Sequence, residues 1–277
     1  MTLTLSPGLY IVATPIGNLG DLSPRAAATL GAADVIAVED SRVTSKLLRH
    51  IGVKRPMIAY HDHSGDGVRP ALIARMATQA VALVSDAGTP LISDPGYKLV
   101  RDARAAGVPI VTIPGPSAAI AALTLAGLPT DRFLFVGFLP SKSKARAGAI
   151  AEIAAVRATL VFYESGSRLA ASLAALADNL GNRDAAVARE LSKLYEECVT
   201  GTLSELAMRY KDAPPKGEIV IVVAPPPPPQ TASQSDADSA LAEALTRLSV
   251  GRAASEVAQK LHLDRRTLYA RALALKP

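Results

Sequence analysis

Short apolar runs rich in β-branched residues recur along the first 223 residues and alternate with amphipathic stretches. Runs of this kind are typical of buried strands, and the amphipathic stretches between them are typical of helices. The predicted strands are 9–15, 35–40, 56–61, 81–86, 109–114, 132–138, 159–165, 185–192 and 218–223. Strands that alternate with helices form βαβ units, so the pattern predicts an α/β fold whose first half contains a parallel sheet.

Residues that begin and end helices lie between these runs. Ser23 followed by Pro24 is typical of a helix N-terminus, and Ser117 is placed to cap the helix that follows it. Gly52 and Gly107 are typical C-terminal stops. We therefore expect helices to begin and end near these positions.

The number of strands predicts two lobes. Nine strands exceed a comfortable single sheet, and the turn at 114–116, Pro-Gly-Pro, interrupts the pattern midway. The expected lobes are 8–116, which holds the parallel sheet, and 117–224, which completes a ligand cleft. Residues 225–239, PPPPPQTASQSDADS, combine a polyproline segment with polar residues and are predicted to be a spacer.

Residues 240–277 are predicted to form a separate basic helical module. Apolar residues recur at helical spacing on both sides of the turn HLD, which places Asp264 as an N-cap. Two helices joined in this way, with Arg265 and Arg266 at the start of the second, match the helix-turn-helix that presents side chains to nucleic acid. A small packing or dimerisation tail is the alternative, since this pattern is degenerate.

Composition narrows the class of protein. Aromatic residues make up only 4% of the chain and Trp is absent, as in helices packed on a buried parallel sheet. Cys198 is the only cysteine, which excludes an intramolecular disulfide and a Cys-rich zinc site. The start of the chain lacks the features of a signal peptide, and no apolar run approaches the roughly 18 residues of a membrane span. We expect a soluble, cytoplasmic protein without a membrane partner.

The distribution of charge favours a polyanionic partner. The net charge is +5, which by itself does not require nucleic acid. Within 240–277, however, seven Lys and Arg residues stand against three acids, so most of the excess lies in the predicted module. A basic helical module of this kind indicates nucleic-acid binding.

The Gly- and Pro-rich loop at 84–96, VSDAGTPLISDPG, directly follows an apolar strand and precedes a helix. Ligands of α/β sheets bind at such carboxyl ends of strands. Gly88 lets the backbone approach a ligand closely, and Asp86 and Asp94 offer acceptors for a ribose hydroxyl or an amino group. This segment is the strongest candidate for a binding site.

Two similar loops, 13–21 and 114–118, follow the first and fifth strands, so three loops are expected to face one crevice. The chain contains neither G-x-G-x-x-G nor G-x-x-x-x-G-K-[ST], which excludes the dinucleotide fingerprint and the P-loop. A nucleoside-type cofactor without phosphates fits this crevice better.

Nine segments carry a family resemblance, in the order ATPIGNLGDLSPRA, AVEDSRVTSKLL, YHDHS, LVSDAGTPLISDPGYKLV, PGPSAAIAAL, LPTDRFLFVGFLPSKSKAR, FYESGSRL, ARELSK and KGEIVIVV. Over about residues 8 to 223 the chain resembles the tetrapyrrole methylase superfamily, and within it the bacterial methylases of a cytidine 2′-hydroxyl in small-subunit (16S) ribosomal RNA. The tail resembles the helix-turn-helix appendage of some members. The resemblance implies two α/β lobes that bind S-adenosylmethionine between them, ribosomal RNA or the small ribosomal subunit as partner, and a homodimer.

The resemblance also implies site residues. The positions that match cofactor segments are Pro15, Asp86, Ala87, Gly88, Thr89, Pro90, Ile92, Ser117 and Ala118, with Phe162, Ala188 and Gly217 from the second lobe. One position departs from the family: a His commonly precedes the Arg of FYESGSRL, and here that residue is Ser167. A mechanism that needs a histidine at this position is excluded.

Methyl transfer from a sulfonium to a hydroxyl is an in-line displacement, so alignment of the reacting atoms and exclusion of water are the main tasks. A ribose hydroxyl is a weak nucleophile, and a base or a nearby cation should help it react. The candidate bases are Glu39, Asp40, Asp62, Asp94 and Glu190, and the candidate cation is Lys193. Glu39 and Asp40 are equally consistent with acids that stabilise the N-terminus of the next helix.

No metal site is predicted. Asp62 stands between His61 and His63, but three adjacent residues at a strand end cannot all point at one ion. The cations expected to contact RNA are Arg42, Lys46 and Arg49 on one helix, Lys142, Lys144 and Arg146 in a loop, and Arg265 and Arg266 in the module. A solvated basic face is the alternative for each of them.

Two other functions stay open. The same cofactor would serve methylation of a tetrapyrrole or another small molecule, although such a substrate needs no detached nucleic-acid module. A non-enzymatic nucleic-acid-binding regulator would explain the tail, but it leaves the enzyme-like loops of the first 223 residues without a role.

Overall fold

The chain divides into two units in the computed structural model, which describes residues 3–61, 67–227, 234–261 and 263–275. The unit Met1–Pro226 contains two five-stranded sheets, and the unit Pro227–Pro277 is helical. None of the helices in these described ranges has the length and apolar character that crossing a bilayer needs.

The first sheet is entirely parallel, as the alternation of strands and helices predicts. Its strands are β1 (Gly8–Val12), β2 (Val35–Val38), β3 (Met57–Ala59), β4 (Ala80–Val84) and β5 (Ile110–Ile113), in the order β3-β2-β4-β1-β5. Its helices are a 3-10 helix (Leu19–Asp21), α1 (Pro24–Ala32), α2 (Ser41–His50), α3 (Val68–Met76) and α4 (Tyr97–Ala105).

Helices cover both faces of this sheet. In β4, Ala82 packs with Leu30 of α1 in one core, and Leu83 packs with Leu72 of α3 and Leu99 of α4 in another. Side chains alternate between the two faces of a strand, so a strand covered on both sides is apolar throughout. This explains the unbroken apolar runs of the first half of the chain.

The second sheet is mixed. Its strands are β6 (Phe133–Phe138), β7 (Thr159–Ser165), β8 (Asp184–Arg189), β9 (Glu197–Thr202) and β10 (Glu218–Val223), in the order β6-β7-β10-β8-β9. Only β6 and β7 are parallel, and the other neighbours pair antiparallel. Its helices are α5 (Ala118–Leu125), α6 (Ser143–Ile153), α7 (Gly166–Leu180) and α8 (Leu203–Arg209).

The strand β9 was not predicted from the sequence. Its residues, ECVTGT, lie at the edge of the sheet and are mostly half-buried, so they lack the apolar run that marks a buried strand. The preceding strand β8 also ends earlier than expected, at Arg189, because Glu190 and Ser192 adopt left-handed backbone with φ values of 50° and 65°.

Most predicted helix boundaries are confirmed. The Ser23 hydroxyl accepts a hydrogen bond from the Ala26 N–H at 3.0 Å and caps α1. Gly52 and Gly107 follow the ends of α2 and α4 in left-handed backbone, with φ values of 67° and 73°. Ser117 is the N-cap residue of α5, although its hydroxyl does not make the capping bond.

The helical unit contains α9 (Gln234–Leu245), α10 (Val250–Leu261) and α11 (Arg265–Leu275), packed around their own apolar core. Asp264 caps α11, as predicted, by accepting a hydrogen bond from the Thr267 N–H at 2.8 Å. Residues 234–239, predicted as spacer, are helical instead. Ala237 and Leu241 are buried one turn apart, and this apolar contact stabilises a helix that the polar composition conceals.

Candidate active site

Three loops at the carboxyl edge of the first sheet are hydrogen-bonded to one another. They follow β1, β4 and β5, which are neighbours in the sheet. The backbone N–H groups of Thr14 and Gly88 donate to each other's carbonyl oxygens at 2.8 and 3.0 Å, and the Thr89 hydroxyl donates to the Pro116 carbonyl at 3.0 Å. The predicted convergence of these loops is confirmed.

The loop after β4, residues 85–96, holds several residues in left-handed backbone. Gly88 has a φ of 76°, and a Cβ atom there would lie 3.3 Å from Ile16 Cγ2. Leu91 and Ser93 have φ values of 75° and 62° although neither is glycine. Backbone of this kind costs on the order of 1–3 kcal/mol per residue and clusters at ligand-binding sites. The loop conformation therefore indicates a functional site.

A cleft lies between these loops and the second sheet, with a volume of about 1040 Å³ including the part open to solvent. The predicted site residues that line the cleft are Glu39, Asp86, Ala87, Gly88, Thr89, Ile92, Asp94, Ser117, Ala118, Glu190 and Lys193. Residues proposed from different parts of the chain thus meet in one place.

Other predicted cofactor residues are not part of the lining. Pro15 and Pro90 are buried, and each is adjacent in the chain to a residue that lines the cleft. Phe162 is fully buried in the core formed with α7, and the adjacent Tyr163 lines the cleft instead. Successive side chains of a strand point to opposite faces, so the sequence assignment to Phe162 places its side chain on the wrong side of the sheet.

Ala188 and Gly217 support the wall without lining it. Ala188 is fully buried and pairs with the lining residue Val220 in the neighbouring strand. Gly217 packs against Glu190, where a Cβ atom would lie 2.6 Å from Oε1. Both positions are therefore constrained in size by the residues that form the cleft.

The sequence does not predict several of the residues that line the cleft. These are Ile16, Ser93, Phe138, Tyr163, Glu164, Leu191, Glu218, Ile219 and Val220. Most of them lie where β6 and β7 end and β10 begins. Because β7 and β10 are antiparallel, the end of one meets the start of the other, with Glu218 opposite Ser165. Side-chain alternation identifies the face of Tyr163, but no local pattern predicts this antiparallel pairing.

The cleft carries an excess of negative charge. The carboxylates that line it are Glu39, Asp86, Asp94, Glu164, Glu190 and Glu218. Lys193 is the one cation of the lining within the described ranges, and its Nζ lies 3.1 Å from Glu190 Oε1. Arg168 pairs with Glu164 from behind, with Nε 3.2 Å from Oε1. The remaining carboxylates favour a ligand that carries positive charge.

The pKa of Asp94 is raised to about 6, first by burial and then by the nearby charges of Glu39, Asp86 and Glu218, while a hydrogen bond with Ser85 lowers it. The pKa of Glu39 is also raised, first by burial and then by the charge of Asp86. A carboxylate that titrates close to neutral pH is suited to accept a proton in a reaction. The raised pKa makes Asp94 a candidate for this role.

Asp40 has a different role. Its Oδ1 accepts a hydrogen bond from the Arg42 N–H at 2.8 Å and caps α2, and its Oδ2 lies 2.6 Å from Arg42 Nη2. The hydrogen bond from the Arg42 side chain lowers the pKa of Asp40 to about 2, which makes it a weak base. Asp40 does not line the cleft, so the helix-cap interpretation fits the geometry better than catalysis.

Lys193 belongs to a second-lobe segment that contacts the first lobe. The Ser192 hydroxyl donates to the Asp21 carboxylate, and a Cβ atom on Gly17 would overlap the Lys193 side chain. The segment that carries Glu190 and Lys193 therefore closes the cleft from the second lobe against the loop after β1.

The cations expected to contact RNA are mostly exposed. Those on α2, Arg42, Lys46 and Arg49, are exposed, as are Arg265 and Arg266 at the start of α11. Lys142, Lys144 and Arg146 were predicted in a loop, but Lys142 is the N-cap residue of α6 and the other two lie in its first turn.

Ser167 does not line the cleft described above. Ser167 is exposed at the start of α7, with its hydroxyl oxygen 3.4 Å from that of Ser165. Asp62 and His63 lie outside the described residues.

A parallel sheet and a mixed sheet that together line an acidic cleft define a two-lobed α/β class of protein. Comparisons with known proteins identify the family. Residues 8–207 match the tetrapyrrole (corrin/porphyrin) methylases, and residues 231–276 match the RsmI C-terminal HTH domain. The chain belongs to the tetrapyrrole methylase family, and it is a methyltransferase.

Curated proteins named Ribosomal RNA small subunit methyltransferase I are similar to nearly the whole chain. The protein from Erythrobacter litoralis is 56% identical over 98% of this chain and 96% of its own length. The protein from Mesorhizobium japonicum is 50% identical over 98% of this chain and 93% of its own length. The protein from Escherichia coli O157:H7 is 45% identical over 96% of this chain and 94% of its own length. These relatives share both units of the chain.

Solved structures show the same fold at low sequence identity. Diphthine synthase is 18% identical with a TM-score of 0.63, over 78% of this chain and 89% of its own. Uroporphyrin-III C-methyltransferase from Thermus thermophilus, complexed with S-adenosylhomocysteine, is 21% identical with a TM-score of 0.55. The match covers 78% of this chain and 97% of that chain. The α/β two-lobed fold expected from the sequence is therefore confirmed.

Proposed function

We propose that this chain transfers the methyl group of S-adenosylmethionine to a ribose 2′-hydroxyl of a cytidine in small-subunit (16S) ribosomal RNA. The observation that carries the proposal is the acidic cleft at the hydrogen-bonded loops, in a chain whose full-length relatives are named for ribosomal RNA methylation. A ligand with a sulfonium and an ammonium group fits a lining with an excess of carboxylates.

The residues that would hold the cofactor are those of the converging loops, Asp86, Gly88 and Thr89, together with Ser117 and Ala118 at the start of α5. When bound, S-adenosylmethionine supplies an electrophilic methyl group. Asp86 accepts a hydrogen bond from the Asp40 N–H at 3.0 Å, which holds its carboxylate in place. Gly88 lets the backbone come close to the ligand without a side chain in the way.

In the proposed reaction, Asp94 would accept the proton of the ribose hydroxyl as the hydroxyl oxygen bonds to the methyl carbon and the sulfur–methyl bond breaks, with the neutral thioether as leaving group. Its pKa of about 6 keeps it ionised at neutral pH and close to the proton affinity that a general base needs. Glu39 lies in the same lining, and its negative charge would favour binding of the positively charged cofactor over its neutral thioether product. Lys193, paired with Glu190, stands where it can attract the phosphate-bearing substrate.

The cofactor assignment predicts a pH-dependent difference between two ligands. From pH 5 to pH 7 Asp94 loses its proton, so the affinity for S-adenosylmethionine should rise several-fold through pH 6 and then level off. S-adenosylhomocysteine lacks the sulfonium charge and should show a smaller rise. Calorimetric titrations of both ligands at pH 5, 6, 7 and 8 measure this, and equal pH dependence for the two would contradict the electrostatic role of the cleft.

Exposed cations support RNA as the partner. Lys142 and Lys144 are exposed at the N-terminus of α6 and Arg146 is half-buried there, where the helix dipole disfavours positive charge by about 0.3–1 kcal/mol each. Arg265 and Arg266 are exposed at the start of α11. Such positions suit contacts with phosphate, and we expect binding to weaken steeply as salt rises.

The chain acts in the cytoplasm as a homodimer in this proposal. Three large apolar side chains are well exposed to solvent. They are Val111 on the edge strand β5, which is 42% exposed, and Ile120 and Leu125 on α5, which are 48% and 44% exposed. Apolar surface of this kind is suited to an interface between subunits. Sedimentation equilibrium of the purified protein tests the dimer, and a monomer at micromolar concentration would exclude it.

The activity is tested with labelled cofactor and three acceptors: undermodified small ribosomal subunits, naked 16S ribosomal RNA and a porphyrin precursor. Label in ribosomal RNA that makes the adjacent phosphodiester resistant to alkali identifies a 2′-O-methyl group, because cleavage needs a free 2′-hydroxyl. Transfer to the porphyrin precursor alone would favour the small-molecule alternative. Binding to duplex DNA without any transfer would favour the regulator.

A further inference from the structure

The edge strand β6 contains a β-bulge that changes the direction of Phe138. In the pairing with β7, Phe135 lies opposite Val161, Gly137 lies opposite Phe162 and Phe138 lies opposite Tyr163. Val136 is thus an extra residue without a counterpart, and Gly137 has a left-handed φ of 77°. Bulges at sheet edges often aim a side chain at a nearby site.

The bulge places two rings that are three residues apart on the same face. Without it, Phe135 and Phe138 would point to opposite sides of the sheet. Instead both contact Tyr163, with ring centroids 4.9 Å and 5.6 Å apart and edge-to-face geometry. Phe138 consequently lines the cleft rather than the core between β6 and α7.

Phe138 is held firmly and yet exposed. Tyr163, against which it packs, accepts a hydrogen bond from the Ala119 N–H at 3.3 Å. The next residue, Leu139, is buried in the core, and its carbonyl accepts a hydrogen bond from Arg168. The Phe138 side chain nevertheless remains 54% exposed, although burying an aromatic ring is favourable. A fixed ring with a free face is a surface on which a planar group can stack.

The residues that follow Phe138 in the chain indicate which planar group stacks on its ring. Lys142 and Lys144 follow within six residues, are exposed and precede or open α6. An exposed aromatic ring next to cations along the chain is the combination with which proteins bind single-stranded nucleic acid, the ring stacking on a base and the cations contacting phosphates. The loops that would hold the cofactor belong mostly to the first lobe, whereas Phe138 lies on the second.

We propose that Phe138 is a substrate-positioning residue that stacks on the nucleobase of the nucleotide to be methylated, or on its immediate neighbour in the strand. This inference rests on the proposed function, because it needs RNA as the acceptor. By stacking the base, Phe138 would hold the attached ribose beside Asp94. The bulge at Val136 is then the structural device that brings the ring into the cleft.

The test compares Phe138→Leu, which removes the ring and keeps an apolar side chain, with Phe138→Tyr, which keeps the ring. For Phe138→Leu we expect KM for small ribosomal subunits to rise about tenfold, the scale of losing one base–aromatic stack, with kcat within about threefold of wild type. The Kd for S-adenosylmethionine, measured by calorimetry, should stay within about twofold. Phe138→Tyr should restore KM.

Phe133→Leu is the matched control, since Phe133 is an exposed aromatic residue at the other end of β6 and does not line the cleft. It should leave KM for subunits unchanged. An equal loss of cofactor affinity in Phe138→Leu would assign the ring to the cofactor and overturn the inference. Unchanged KM and Kd in that variant would also overturn it. A wild-type protein that methylates no ribosomal RNA would instead refute the proposed function itself, and this inference with it.

Discussion

We expect Asp94→Asn to lower kcat for methyl transfer by about a hundredfold or more, the contribution typical of a positioned general base. The variant keeps the size and polarity of the side chain but cannot accept the hydroxyl proton. In the wild type, activity should fall about tenfold per pH unit below pH 6, because the pKa of Asp94 is raised to about 6 and its protonated form is inactive. In the variant this inflection should be absent. Initial rates between pH 5 and 8 measure both effects.

Glu218→Gln is the control for the loss of one negative charge. Glu218 lines the same cleft, so both variants should bind S-adenosylmethionine somewhat more weakly. Only Asp94→Asn should lose the pH inflection and most of kcat. An Asp94→Asn variant with wild-type kcat and an unchanged pH profile would exclude Asp94 as the base and leave Glu39 as the next candidate.

Removal of residues 227–277 should weaken binding to small ribosomal subunits by about 10- to 100-fold while leaving the Kd for S-adenosylmethionine unchanged. In the part of the chain that the structure describes, the removed unit packs around an apolar core of its own. Loss of the phosphate contacts of Arg265 and Arg266 should reduce the slope of log affinity against log salt by about 2. Filter binding at several salt concentrations gives affinity and slope together.

The full-length double variant Arg265→Ala, Arg266→Ala is the matched control, because it removes the two cations and keeps the module folded. It should reproduce most of the reduction in salt dependence. Loss of cofactor binding on truncation would show that the division of the chain into units is wrong. Unchanged affinity for subunits would support the packing-tail alternative for the module.

The part of the site that the sequence predicts is the part that depends on parallel strands. The carboxyl ends of neighbouring parallel strands share one edge of the sheet. The sequence alone therefore assigns the Gly- and Pro-bearing loops 13–21, 84–96 and 114–118 to one crevice. Local chemistry adds to this, because Gly88 needs backbone that other residues rarely adopt. The loops meet as predicted.

The second lobe was harder to predict because its cleft residues depend on antiparallel pairing between distant strands. Tyr163 and Glu218 meet in the cleft through β7 and β10, more than fifty residues apart, and no local periodicity reports this. In a strand, an assignment that is off by one residue selects a side chain on the opposite face of the sheet. Phe162 was assigned to the cleft in this way, although it is the next residue, Tyr163, whose side chain lines it. The bulge in β6 has no local signal apart from Gly137.

The basic segment before α6 was assigned to a loop for a different reason. Lys142 occupies the N-cap, where Ser, Thr, Asp and Asn are the usual residues, so the start of the helix carries no recognisable signal. Lys, Ala and Arg nevertheless favour helix, and this propensity determines the structure. Cations at the start of a helix are therefore easily mistaken for a flexible basic loop.

The two backbone hydrogen bonds between Thr14 and Gly88 make the loops after β1 and β4 behave as one preorganised surface. Neither loop needs to become ordered when a ligand arrives, so association should cost little conformational entropy. Free and bound forms should then differ mainly in side-chain rotamers on the first-lobe side of the cleft. Any larger adjustment that admits a polymer would fall to the opposite wall, where the Ser192 hydroxyl donates to the Asp21 carboxylate and water can replace this contact.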